Sequence, residues 1–231
     1  MAGPTKEDVL KPSFLSMLGR VHGKKVIDLG CGSGYFTRII AQAEPHKVIG
    51  IDLSRELIKI ARKLESRTRL GIEYYTQDII RFETKNQFQI AAAVYLLNYA
   101  KNEKVLSRMC KKIYDFLANR GRLVAITMNP GLKPMRHFEY GRKFTGQHHK
   151  PFFVDGERLR GDHFDEAGKA FYFYCYYYSS QTYERCLRAA GFKNIRWVPL
   201  RISQAGVQKF GSAFWEKHRE NSVGIGVTAT K

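Results

Sequence analysis

The chain has 231 residues, 44% hydrophobic and 26% charged, which suits one α/β domain with a sizeable core. No run approaches the roughly 18 apolar residues of a membrane helix, and the opening Met1-Ala-Gly-Pro-Thr-Lys-Glu-Asp8 carries charge where a signal peptide needs apolar residues, so a cytoplasmic protein is expected. Four cysteines without a Cys-x-x-Cys pair support neither a zinc site nor a disulfide framework, while a net charge of +18 makes nucleic acid a partner to be weighed.

Pro12 to Arg20 reads as a short helix with Phe14, Leu15 and Leu18 on its apolar side. Lys25 to Leu29 is a first strand running into Gly30-Cys31-Gly32-Ser33-Gly34, where the missing Cβ atoms let backbone and a small ligand approach. The helix after the glycines carries Phe36, Ile39, Ile40 and Ala43 and cannot pass Pro45. Lys47 to Asp52 is a second strand ending on an acid 18 positions after Gly34, close to the ~20 at which nucleotide folds place a ribose-binding carboxylate. Ser54 caps a helix to Ser66, and Ile72 to Gln77 is a third strand with Asp78 just past it. Phe88 to Leu97, almost continuously apolar, suits a central parallel strand beside the first. The topological switch then falls between the two, and Tyr95, Leu96, Leu97, Asn98 and Tyr99 leave the sheet where ligands bind.

Glu103 to Leu117 is an amphipathic helix with lysine and arginine on its outer face, a pattern that usually marks solvation. A turn at Asn119-Arg120-Gly121 opens a fifth strand through Thr127. From Asn129 to about Lys169 the pattern dissolves, and substrate identity should reside there. Ala170 to Tyr178 is a strand with tyrosines at 172, 174, 176 and 178 on one face and Phe171, Phe173, Cys175 and Tyr177 on the other; as a roof it would turn one aromatic row, represented by Tyr174 and Tyr176, toward a flat acceptor. His148, His149, His163 and Cys175 match no standard ligand spacing, and no metal is expected. Ser179 or Ser180 caps a helix through Ala190, Phe192 to Val198 is a strand, and Val223 to Ala229 is the last one.

Asp28-Leu-Gly-Cys-Gly-Ser-Gly34 resembles motif I of the class I S-adenosylmethionine (SAM) dependent methyltransferases. It differs from the dinucleotide fingerprint, whose third glycine position is occupied by Tyr35. The resemblance implies a Rossmann-like seven-stranded mixed sheet in one domain over 1–231, a substrate-side insertion after strand five at 130–178, and an antiparallel last strand. It further implies SAM as cofactor and S-adenosylhomocysteine as product, held by Asp28, Gly30, Cys31, Gly32, Gly34, Asp52, Leu53, Asp78, Ile79 and Tyr95. Within that set Asp52 would accept from the ribose hydroxyls, Asp78 from the adenine amino group, and the Ile79 N–H would meet a ring nitrogen.

Tyr95-Leu-Leu-Asn-Tyr-Ala-Lys-Asn102, the aromatic insertion and Thr182-Tyr-Glu-Arg-Cys-Leu-Arg-Ala-Ala-Gly-Phe192 are similar to small-molecule methyltransferases of the toxoflavin (azapteridine) N-methylating kind. A small, aromatic or heterocyclic acceptor is therefore expected, with Asn98, Tyr99, His137, Tyr174 and Tyr176 as its contacts. Methyl transfer from a sulfonium is an in-line displacement, so the protein mainly orients two reactants and excludes water. A hydroxyl acceptor would need a base, and His137, His22, Tyr95 and Tyr99 are the available groups. The alternatives are a nucleic-acid or protein methyltransferase using the basic surface, or a SAM-binding protein without catalysis. No membrane partner is expected, and oligomeric state is not legible.

Overall fold

The computed structural model describes residues 4–147, 150–164 and 168–231. A π-helical turn at Lys6–Leu10 runs directly into α1 (Lys11–Leu18), with Pro12 just past the point where the wider turn gives way to the α-helix. Then follow β1 (Lys25–Leu29), α2 (Tyr35–Ala41), β2 (Lys47–Asp52), α3 (Arg55–Thr68), β3 (Glu73–Thr76), β4 (Phe88–Val94), α4 (Glu103–Phe116) and β5 (Leu117–Met128). Next come three short strands, β6 (Arg142–Thr145), β7 (Arg158–Phe164) and β8 (Ala170–Tyr176). The chain finishes with α5 (Ser180–Ala190), β9 (Lys193–Val198), α6 (Gln204–Phe210), α7 (Glu216–Glu220) and β10 (Gly224–Thr230).

Seven strands form one mixed sheet in the order β3-β2-β1-β4-β5-β10-β9, with β10 antiparallel to both neighbours. Strand alternation divides its core. Ile27, Leu29, Ala91 and Leu123 pack with Leu106, Ile113, Tyr183 and Leu187 of α4 and α5, whereas Val26, Val48, Ile90 and Val124 meet Phe14, Phe36, Ile40 and Ile58 of α1 to α3. Burial on both faces explains the near-continuous apolar runs of β1 and β4. Ser54, Asn102 and Ser179 cap α3, α4 and α5 by accepting from Leu57, Val105 and Thr182 N–H, each a contribution of about 1 kcal/mol.

Strands β6-β7-β8 form a separate antiparallel sheet. Its Phe144, Leu159 and Cys175 pack with Met128 at the end of β5 and Val223 just before β10, which seats it over the carboxyl edge of the main sheet. The stretch read as patternless from 129 to 169 thus holds two strands. Arg158-Leu-Arg-Gly-Asp-His-Phe164 does alternate in burial, but Gly161 and its many charges hid that period. Three further differences concern boundaries. β5 begins at Leu117, ahead of the turn expected at 119–121; its pairing with β4 jumps from Phe88–Leu117 to Ile90–Arg122, so those positions loop out of the ladder inside the strand, with Arg120 at φ 62°. β4 stops at Val94, since Tyr95 takes φ 54° and Leu97–Tyr99 coils into a 3₁₀ turn. The connection before the last strand contains α6 and α7, tied down by the fully buried Trp215.

Candidate functional site

The carboxyl ends of β1, β2 and β4 open into a cleft of about 1110 Å³. One end is made by the glycine turn. Gly30 and Cys31 N–H donate to Ile51 O at 2.8 and 3.0 Å, and Gly32 N–H donates to Asp52 Oδ2 at 2.8 Å, so the turn is laced onto the end of β2. Gly30 and Gly32 take φ of 69° and 57°, and a Cβ on Gly32 would meet nothing nearer than Leu57 Cδ1 at 4.0 Å. Gly34 is different. It does not line the cleft, and a Cβ there would sit 2.3 Å from the Tyr74 hydroxyl, so its role is to pack α2 against β3 and not to admit a ligand.

Asp28, Gly30, Cys31, Gly32, Asp52, Leu53, Asp78, Ile79, Tyr95, Asn98 and Tyr99 all face this cleft. Asp52 Oδ1 accepts from Ser54 N–H at 2.8 Å, which leaves each carboxylate oxygen a further lone pair. Asp78 Oδ1 accepts from Ile80 N–H at 2.9 Å, an aspartate turn that also fixes its position on the rim. Asp28 is buried on the floor and accepts from Thr37 Oγ1 at 2.6 Å; desolvation lifts its carboxyl to about 7, with the Thr37 bond opposing and Asp52 reinforcing the rise. Tyr95 holds its left-handed backbone through an N–H···O bond to Ile126 at 2.6 Å, a strained turn that aims the β4 exit into the cleft.

The other end of the cleft is made by the small sheet. Register sorts its residues: Arg142 pairs with His163 and His163 with Phe171, while Phe144 pairs with Gly161 and Gly161 with Phe173. All but Gly161 line the cleft. Gly161 lets the rings meet, because a Cβ there would lie 2.8 Å from Phe173 and 2.9 Å from Phe144. Tyr99 completes the wall with its ring 6.3 Å from Phe173.

Besides Gly34, four expected residues stand elsewhere. Tyr174 and Tyr176 belong to the opposite face of β8: Tyr174 turns to solvent, 44% exposed, under the Arg158 guanidinium at 4.6 Å, and Tyr176 packs on the main core beside α4 and α5. The row facing the cleft is Phe171 and Phe173, one residue out of phase with the tyrosines. His137 is exposed on the segment before β6, outside the cleft lining, and His22 lies exposed ahead of β1, at the amino edge of the sheet, 3.9 Å from Glu44. Arg142, Phe144 and His163 were not singled out for the site by sequence; a glycine inside an alternating strand was their only signal.

Proton-transfer capacity at the acceptor end of the cleft is low. Desolvation raises Tyr95, and it pushes Tyr99 up to about 12; half of the Tyr99 ring is open to solvent, but with either weight on burial the phenol stays protonated at neutral pH. Burial and the neighbouring Arg142 cation pull His163 down to about 4. Burial raises Cys31, which remains a thiol. Among the described residues no three His, Cys, Asp or Glu side chains gather to hold a metal; His148 and His149 lie outside the described residues. All four cysteines are free and buried, and no described helix is long and apolar enough to cross a membrane.

Fold and cleft define a class I methyltransferase scaffold. Residues 26–121 match the methyltransferase domain family. A ubiquinone biosynthesis O-methyltransferase of Coxiella burnetii is 29% identical over 124 residues, 53% of this chain and 51% of the relative, and the chain spans about half the length of most curated relatives it matches. A SAM-dependent methyltransferase from Mesorhizobium loti superposes with a TM-score of 0.69 at 19% identity, covering 95% and 96% of the two chains. The SAM-bound amino pentose methyltransferase of Micromonospora echinaspora gives 0.59 at 16% identity, covering 94% and 87%. Residues 26–121 thus match a methyltransferase domain within a chain that shares the fold of these neighbours, and the group to be tested against the cleft is S-adenosylmethionine. Its residues fit that group: the space above Gly32 admits a ligand, and three carboxyl groups offer acceptors for a diol, an amino group and an ammonium.

Proposed function

We propose that the protein transfers a methyl group from SAM to a small aromatic or heterocyclic acceptor, at nitrogen or oxygen. The observation that carries this is the two-part cleft. Its volume of about 1110 Å³ exceeds the roughly 300–1,000 Å³ of ordinary ligand pockets, and its acid-lined end is continuous with an aromatic end. Asp28, Gly30, Gly32, Asp52, Leu53, Asp78, Ile79 and Tyr95 would hold the cofactor, with Asp52 toward the ribose and Asp78 toward the adenine. When bound, the cofactor supplies an activated methyl group on a sulfonium. The chain's own residues position the acceptor and exclude water: Phe144, Phe171, Phe173 and Tyr99 offer ring faces for stacking, and residues 130–178 act as a cap on the single domain.

Neither Tyr95 nor Tyr99 is ionised at neutral pH, and His163 is a weak base, so the acceptor atom attacks with a lone pair it already has. A ring nitrogen, an amine or an already ionised oxygen meets that requirement; the toxoflavin-type likeness points to nitrogen. The named relatives act on small molecules as their descriptions print them, which supports the same acceptor class. The lining carries Asp28, Asp52, Glu56 and Asp78 against Lys6, Arg55 and Arg142, so the cleft is not the basic funnel a nucleic acid would need. A screen of aromatic and heterocyclic metabolites for methyl transfer from labelled SAM tests the proposal. Label in one or a few of these compounds is the expected result, and label found only in nucleic acid or protein overturns it.

A further inference from the structure

Arg142 is the most conspicuous charge in the cleft, because among the described residues it is buried without an anion. It is 7% exposed, and among the described residues no carboxylate lies within ion-pairing distance of it. Among the described residues its guanidinium, with five N–H donors, donates one hydrogen bond, to Thr5 Oγ1. A buried cation left in this state costs several kcal/mol unless something compensates it. Around it the polar atoms are equally short of partners. The buried Tyr95 hydroxyl lies close to the guanidinium without a hydrogen bond of good geometry, and among the described residues His163 Nε2 and Asn98 Oδ1 are buried without partners. All four side chains line the cleft, and the Phe173 ring is 5.0 Å from His163 and 6.0 Å from Phe144.

A site with one planar cation, neutral polar atoms beside it and aromatic walls has a definite complement. We propose that Arg142 is the specificity-determining residue of the acceptor site and that the acceptor is a planar aromatic or heteroaromatic acid whose carboxylate pairs with it. Carboxylate is favoured over phosphate because, among the described residues, the guanidinium is the only cation lining this end; Lys6 lies over the Tyr35 ring at 4.0 Å, on the side of the glycine turn. The phenol of Tyr95 can donate to a second carboxylate oxygen, and the remaining ring would lie between Phe144, Phe173 and Tyr99. This rests on the methyltransferase reading, which it narrows to an acceptor of one charge type.

The test measures binding of matched pairs, benzoate with benzamide and nicotinate with nicotinamide, to the full chain saturated with S-adenosylhomocysteine. Each acid is expected to bind roughly tenfold or more tightly than its amide, the effect of a charge-assisted bidentate pair. Arg142→Gln should abolish that preference, and Arg142→Lys should restore part of it, with S-adenosylhomocysteine affinity unchanged in both. Thermal melting separates a structural role: Arg142→Met, which removes an uncompensated cation, should leave the melting temperature of the ligand-free protein unchanged or raise it. Acids and amides bound equally, a preference that survives in Arg142→Gln, or a large loss of melting temperature in Arg142→Met would each overturn the assignment. Failure of the parent protein to bind S-adenosylhomocysteine would instead sink the methyltransferase reading itself.

Discussion

Replacing Asp52 by alanine probes two functions of one carboxylate. On the ligand side, it is placed to accept from two vicinal ribose hydroxyls, and hydrogen bonds to a charged group are worth about 1.5–3 kcal/mol each. Asp52 is only half-buried, so the lower end applies, and a loss of ~3 kcal/mol corresponds to a fall of roughly 150-fold in affinity for S-adenosylhomocysteine. On the protein side, Gly32 and Ser54 N–H each lose an acceptor at 2.8 Å. At about 1 kcal/mol per bond this is ~2 kcal/mol, or a drop of roughly 4–8 °C in Tm for a domain of this size. Titration calorimetry and thermal melting of the same preparation read the two quantities separately. Asp52→Asn retains one acceptor oxygen and should fall between parent and Ala on both. A lowered Tm with affinity within about threefold of the parent would refute the ribose assignment and leave Asp52 as a tether between two loops.

Asp28 titrates at about 7 in the folded protein against its ordinary 3.8, so the folded state favours the protonated carboxyl. Stability is fully present below pH ~4 and is lost as pH rises through about 7, by at most ~4 kcal/mol; a Tm profile that keeps its slope in Asp28→Asn would contradict this. Binding of S-adenosylhomocysteine, whose ammonium favours the ionised carboxylate, should release a proton near pH 6.5, seen by calorimetry in buffers of different ionisation enthalpy; no buffer dependence would exclude that pairing. Gly34→Ala combines φ 78° with a clash against Tyr74 and should cost about 2 kcal/mol or more, while Tyr74→Phe, which deletes a buried hydroxyl without a partner, should rescue part of that loss in the double variant; strict additivity of the two melting shifts would refute the packing role. Phe173→Ala should impair methyl transfer to the accepted substrate with SAM binding intact, and Tyr174→Ala should change neither; the reverse pattern in a methylation assay would move the acceptor site to the outer face of the small sheet.

The glycine turn, the order of β1 to β5 and the placement of Asp28, Asp52 and Asp78 were legible in the sequence because each rests on short-range chemistry: apolar runs long enough for a strand, positive φ that glycine tolerates, and an acid at a strand's exit. Gly34 shows where that reading stops. Its φ is local, but the contact that forbids a side chain there comes from Tyr74, 40 residues on, and only packing reveals it. The acceptor end was decided almost wholly by tertiary structure. β8 carries aromatic residues at every position from 171 to 174, so its period of two names two rows without saying which is inward; pairing with β7 and burial of Cys175 and Leu159 against Met128 turn Phe171 and Phe173 to the cleft and Tyr174 to solvent. Arg142 looks in sequence like one of 39 lysines and arginines, and what sets it apart is a property no window can contain: the Thr5 hydroxyl, the Tyr95 phenol and the rings of three strands enclose it, and none of them brings a negative charge.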